Sequence, residues 1–197
     1  MKDCIIAWSG GVESTALVIW ALEQNYNPLI FHASTSWDDA SGDETVAIDT
    51  LKKHLGVQCL NVENKAYGPV MYNGSPMQPG RSIVLNFHLW MSWGVTLAQH
   101  NKIEKLFYGN NNGLYEAGDG LGDQAQSDYF TDVLEGSIQV ARGLWTKLDV
   151  QCPLVRPKVE LWNMIPDECK PHVYTSDIQH KEWKEFYDRE KSKTNSI

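Results

Sequence analysis

Positive charge is scarce in this chain of 197 residues: 17 Lys and Arg stand against 25 Asp and Glu, a net charge of −8. Contact along a phosphodiester backbone needs clustered cations, so no direct nucleic-acid partner is expected. Cysteine is sparse as well. Cys4, Cys59, Cys152 and Cys169 are far apart with no C-x-x-C pair, which points to reduced structural thiols rather than a disulfide framework or a four-cysteine zinc site. Cys169 and His172 lack the second pair that would make them half of a metal centre. No apolar run is long enough for a bilayer: residues 83–98 are interrupted by Asn86, His88, Ser92, Gly94 and Thr96 and fall short of the roughly 20 residues required. The opening MKDCIIAW has neither the basic start nor the long apolar stretch of a signal peptide, so the expectation is a cytoplasmic protein with no membrane partner. Gly and Pro are not enriched, while 42% of residues are hydrophobic and eight are Trp. That is enough apolar material for one compact domain.

Short apolar runs alternate with stretches of helical period, the pattern of a parallel sheet with crossover helices. Strands are expected at 4–8, 29–33, 57–62, 106–108 and 150–154, and helices at 14–24, 44–55, 83–100, from Asp128 onward, and from Pro157 through Met164. The predicted fold is α/β, a doubly wound, mainly parallel five-stranded sheet with helices on both faces. Residues 63–80 hold several Gly and Pro without sustained periodicity and read as a loop. The helix at 83–100 is hydrophobic nearly all round, which suits a central position or a homodimer interface. Residues 1–165 are read as the working domain and 166–197 as a short C-terminal extension ending in the polar, frayed tail KSKTNSI.

The densest chemical signal is Ser9-Gly10-Gly11-Val12-Glu13-Ser14-Thr15, between the first strand and the first helix. Two glycines let the backbone approach an anion closely, the hydroxyls of Ser9, Ser14 and Thr15 can donate to it, and a helix N-terminus adds free N–H groups and a favourable dipole. These are the makings of a phosphate cradle, and the spacing matches neither GxxxxGK[ST] nor GxGxxG. The segment resembles the SGGxDS signature of the PP-loop ATP pyrophosphatases, whose fold is adenine nucleotide alpha hydrolase-like. These enzymes cleave ATP between the α- and β-phosphates and adenylate a substrate. Glu13 stands where that signature has Asp, keeping the carboxylate on a longer arm.

Three further segments resemble the 7-cyano-7-deazaguanine synthase (QueC) branch. They are Pro79-Gly80-Arg81-Ser82 before a long apolar helix, Gly109 followed by a Gly/Asp-rich loop to Asp128-Tyr129-Phe130, and Pro153-Leu154 followed by Lys158-Val159-Glu160 and Trp162. Two features depart from that branch. The cysteine-rich zinc segment is absent, so no zinc site is expected, and His32-Ala33-Ser34-Thr35-Ser36-Trp37-Asp38-Asp39 replaces the usual segment after the second strand.

The resemblance implies ATP and Mg2+ as cofactors, with phosphates over residues 9–15, adenine beside Trp8, Phe31, His32 and Ala33, and further contacts from Arg81 and Gly109. It implies Arg81, Lys158 and Asp128 as catalytic residues and Glu13 and Asp128 as magnesium ligands. The implied activity is that of an ATP-dependent carbon–nitrogen ligase, taking a carboxylated deazapurine and ammonia to the nitrile preQ0 for queuosine or another deazaguanine product. Two alternatives stay open: another adenylating enzyme that forms an amide, transfers sulfur or modifies a protein, and a degenerate module that binds nucleotide without chemistry.

Overall fold

The computed structural model describes residues 1–35, 39–64, 71–72, 75–76, 83–109, 136, 139, 143, 147–174 and 188–189. Five strands form one parallel sheet in the order β3-β2-β1-β6-β7: β1 (Cys4–Ala7), β2 (Pro28–Thr35), β3 (Cys59–Asn64), β6 (Lys105–Phe107) and β7 (Asp149–Gln151). This is the doubly wound α/β fold that the alternation of runs predicts. The order changes direction at β1, whose neighbours β2 and β6 lie on opposite sides, so a crevice opens beyond the C-terminal end of β1.

The central strand explains its own sequence. Cys4-Ile5-Ile6-Ala7 is an unbroken apolar run because a central parallel strand is covered on both faces. Side chains alternate between two cores. Cys4, Ile6 and Trp8 pack with Ala16 and Leu17 of α1 (Val12–Glu23), Ile48 and Leu51 of α2 (Asp39–His54), and Leu161 and Trp162 of α4 (Lys158–Asn163). Ile5 and Ala7 face the other way, toward Met91, Val95 and Ala98 of α3 (Ile83–Asn101). A Cβ on Gly94 would come within 3.0 Å of both δ carbons of Leu106, so the absence of a side chain there lets α3 lie close against β6. The Trp90 indole N–H of α3 donates to the Ala33 carbonyl near the end of β2, at 3.1 Å.

The expected elements differ from the observed ones mainly at their ends. Helix α2 starts at Asp39, ahead of the apolar periodicity. Residues 63–80, read as a loop, carry a short antiparallel pair, β4 (Met71–Tyr72) and β5 (Ser75–Pro76), with Met71 opposite Pro76. The Asn73-Gly74 dipeptide between them is the hairpin signal that periodicity alone passes over. The helix expected from Asp128 lies outside the described residues except for Gly136, Gln139 and Gly143, which are helical. Among the described residues, no helix is long and apolar enough to cross a membrane.

Candidate functional site

The segment linking β1 to α1 lies at the switch in strand order. Gly10 takes φ +77°, and a Cβ there would meet Ala47 Cβ at 3.2 Å and Ile48 Cγ1 at 3.3 Å. Both the backbone conformation and the proximity of α2 therefore require glycine at this position. Gly11 is the N-cap of α1, with extended backbone and no side-chain cap. Gly11 therefore offers the first-turn amides of α1 no side-chain acceptor of its own, as an anion-binding helix start requires.

Two hydroxyls organise the loop. Ser9 Oγ and Ser14 Oγ are 3.0 Å apart, the Ser9 N–H donates to Ser14 Oγ at 3.2 Å, and the Gly11 N–H reaches Ser9 Oγ at 3.3 Å. Thr15 has a different task. Its hydroxyl lies in the core and accepts from the Trp8 indole N–H at 3.0 Å, because position 15 falls on the buried face of α1. Ser14 Oγ also lies within donating reach of the Gly11 carbonyl at 3.3 Å, so the two serines hold the loop in shape, and Thr15 locks the helix to the strand.

Gly109 closes the site from the β6 side. A Cβ there would lie 2.7 Å from the Glu13 carbonyl carbon and 2.9 Å from the Ser14 nitrogen. The chain leaving β6 therefore runs directly against the first turn of α1, an approach only glycine permits.

Lys158 opens α4, after Pro157 as its N-cap, and its ammonium sits 2.9 Å from Glu13 Oε1. The lysine side chain is 4% exposed and the glutamate side chain 21%. A buried cation is stable only when it is paired, and the partner is the residue that departs from the usual Asp of the SGGxDS pattern. The structure thus brings together Glu13 and Lys158, which the sequence offers from ends of the chain 145 positions apart.

The residues expected around adenine are placed as a supporting wall. Trp8 and Phe31 are fully buried, on the α1 and α3 faces respectively, and Ala33 is buried beside α3. His32 is buried as well. Its Nδ1 lies 3.0 Å from the Trp8 carbonyl oxygen and its Nε2 3.4 Å from Thr45 Oγ1 of α2. A carbonyl can only accept, so Nδ1 carries the proton and Nε2 accepts from the threonine hydroxyl. Burial holds the His32 pKa below its ordinary 6.5, against the opposing pull of the Trp8 hydrogen bond and the Asp49 charge. Sequence reasoning placed His32 near the site without indicating this clamp between the loop and α2. Arg81 and Asp128 lie outside the described residues.

Cys152 follows β7 at the same end of the sheet as the loop, and the other three cysteines lie elsewhere. Cys4 and Cys59 begin β1 and β3, at the end of the sheet opposite the loop, and burial pushes both thiols up to about 12. Cys169 is buried, which raises its pKa too. Among the described residues, no three His, Cys, Asp or Glu side chains converge as a metal site would need.

No protein-family model matches this sequence, and no curated protein is detectably similar to it. Among solved structures, the U34-tRNA thiolase NcsA from Methanococcus maripaludis, determined with its [4Fe-4S] cluster, matches with a TM-score of 0.56 at 15% identity. The two proteins share a fold. The match covers 88% of this chain and 59% of NcsA, so the chain spans less than two thirds of that protein's length.

Proposed function

We propose that the loop 9–14 binds the phosphates of ATP and that the chain uses ATP to adenylate a carboxylate, as the PP-loop ATP pyrophosphatases do. The observation that carries this reading is the loop itself: Gly10 at φ +77° and the extended Gly11 lead into α1 beside a carboxylate and an ammonium, Glu13 and Lys158, held 2.9 Å apart. Ser9 and Ser14 hold the loop in shape and the first turn of α1 supplies amides. Glu13 Oε1 is bound to Lys158, so the carboxylate retains one oxygen for a magnesium ion whose other ligands would be phosphate oxygens and water. Magnesium would supply charge neutralisation on the departing pyrophosphate.

Within this reading the substrate is 7-carboxy-7-deazaguanine, on the strength of the QueC-like segments. Its carboxylate oxygen attacks the α-phosphorus and pyrophosphate leaves. Ammonia then adds to the acyl carbon and AMP leaves, giving the amide. The amide oxygen then attacks the α-phosphorus of a second ATP, pyrophosphate and one N–H proton leave, and loss of AMP with the remaining N–H proton gives the nitrile. Each step needs positioning and charge stabilisation and none needs a protein nucleophile.

Sulfur transfer is the second reading, favoured by the fold shared with a tRNA thiolase. It ranks below because Cys4 and Cys59 lie at the far end of the sheet with thiols held protonated, which leaves Cys152, after β7, without a neighbouring cysteine among the described residues at the loop's end, and because the net charge of −8 opposes tRNA.

The test is a product assay with ATP, Mg2+, ammonium and 7-carboxy-7-deazaguanine, following AMP, pyrophosphate and the mass of the deazapurine. Nitrile and AMP formation, both lost in Lys158→Ala, is the expected result. AMP appearing only with another carboxylate, a sulfur donor or a protein acceptor would overturn the substrate and keep the chemistry. ATP binding with no AMP under any condition would overturn the enzyme reading in favour of a binding module.

A further inference from the structure

The C-terminal segment returns to the phosphate loop. After α4 the chain passes through a 3-10 turn at Lys170–His172 and reaches Tyr174, whose backbone N–H donates to the Gly10 carbonyl at 2.9 Å. Tyr174 and Gly11 form an isolated parallel bridge, so the segment lies beside the loop as a one-residue strand. The segment is well fastened. Ile165, Cys169 and Val173 are buried in the core beneath α1 and α4, and the His172 ring stacks on His54 at the end of α2 with centroids 5.1 Å apart.

The position of this hydrogen bond gives it a consequence. In a trans peptide the C=O and the following N–H point in opposite directions in one plane. Holding the Gly10 carbonyl toward Tyr174 therefore turns the Gly11 N–H the other way, toward Ser9 Oγ at 3.3 Å and the interior of the loop. A Gly-Gly peptide has little intrinsic preference between this orientation and the flipped one. In the flipped state a carbonyl oxygen would face an incoming anion, and an amide donor would be lost.

We infer that residues 166–174 form a strap that is a working part of the anion site, with the Tyr174 amide as a positioning group that fixes the direction of the Gly11 N–H. The inference rests on the reading of this loop as a phosphate site and adds a component to it from a segment that motif reading sets apart as an extension. The reciprocal follows by linkage: an anion that binds better to the strapped loop must hold the strap more firmly in place.

The experiment uses inorganic pyrophosphate as the probe on the full chain. Tyr174→Pro removes the N–H and Tyr174→Ala keeps it, so a backbone role separates the two. Titration calorimetry should show pyrophosphate binding weakened about tenfold in Tyr174→Pro, the scale of one lost hydrogen bond, and unchanged in Tyr174→Ala. Amide hydrogen exchange on the unmodified protein supplies a readout that does not depend on how the proline variant folds. Saturating pyrophosphate should slow exchange at Tyr174. Equal binding by the proline variant, equal loss in both variants, or unchanged exchange at Tyr174 on saturation would overturn the strap while leaving the phosphate site intact. Failure of the unmodified protein to bind pyrophosphate would overturn the phosphate reading and the strap together.

Discussion

Glu13 and Lys158 form a lopsided pair, with a cation at 4% exposure and an anion at 21%. Loss of each partner should therefore differ in cost. Glu13→Gln takes the carboxylate from beside a buried ammonium and should destabilise the protein by about 3 kcal/mol. Lys158→Met replaces the ammonium with an apolar chain of similar length and leaves a glutamate that can turn to solvent, so its cost should be smaller. Urea unfolding of the two variants checks the order, and the reverse order would contradict the burial seen here. His32 carries a second prediction at this scale. Its folded pKa lies below the ordinary 6.5, chiefly through burial, so below that pH the unfolded chain takes up a proton that the folded chain resists. The stability it supports is complete above pH 6.5 and declines as pH falls from there toward the depressed folded value. His32→Asn, which can keep the donor to the Trp8 carbonyl, should lose less stability than the unmodified protein between pH 7.5 and 5.5 in paired unfolding curves. An identical pH dependence in both would remove His32 from the account.

At the level of elements, the site is a meeting of α1 with the ends of β1 and β6, and Gly109 sets how close β6 comes. Gly109→Ala would push a methyl into the backbone at Glu13 and Ser14, which α1 can relieve only by moving. A loss of roughly 1–3 kcal/mol is expected, together with weakened ATP binding, and calorimetry with denaturant unfolding would show both. Retention of full stability would mean that α1 and β6 are further apart than described. The strand, loop and helix from residue 4 to residue 23 are legible in sequence because local patterns define them: a doubly buried apolar run, two glycines, then apolar spacing at helical period. The partners that α1 meets are not legible in the same way. Nothing near Gly10 signals that Tyr174 will donate to its carbonyl, and nothing near His32 signals that its ring will bind Trp8 and Thr45 at once. Those contacts are long-range consequences of packing, with no period or motif to announce them. Lys158 is an intermediate case, marked by its resemblance to a family segment but paired with Glu13 only by the fold.

For the whole molecule, the parallel order β3-β2-β1-β6-β7 and the change of direction at β1 place a crevice above the loop, where the proposal puts the nucleotide. Ligand that binds only the folded state must raise the unfolding temperature. ATP at 100 times its dissociation constant should add about 2.7 kcal/mol, which for a chain of this size corresponds to roughly 5–10 °C. Differential scanning calorimetry with and without ATP would show it, and an unchanged midpoint would contradict nucleotide binding to the fold. The central claim, that residues 9–14 hold the phosphates, has a sharper test because Gly11, unlike Gly10, has an extended backbone that any residue can adopt. A Cβ at Gly11 would point toward Ser9 Oγ at 3.2 Å and Glu13 Oε2 at 3.8 Å, so Gly11→Val should fold and fill the cradle. Titration of ATP into the unmodified protein and into Gly11→Val is the measurement to make. Saturable binding that is abolished in Gly11→Val, with the unfolding midpoint retained, is the predicted result; binding of equal strength in both proteins, or none in the unmodified one, would contradict it.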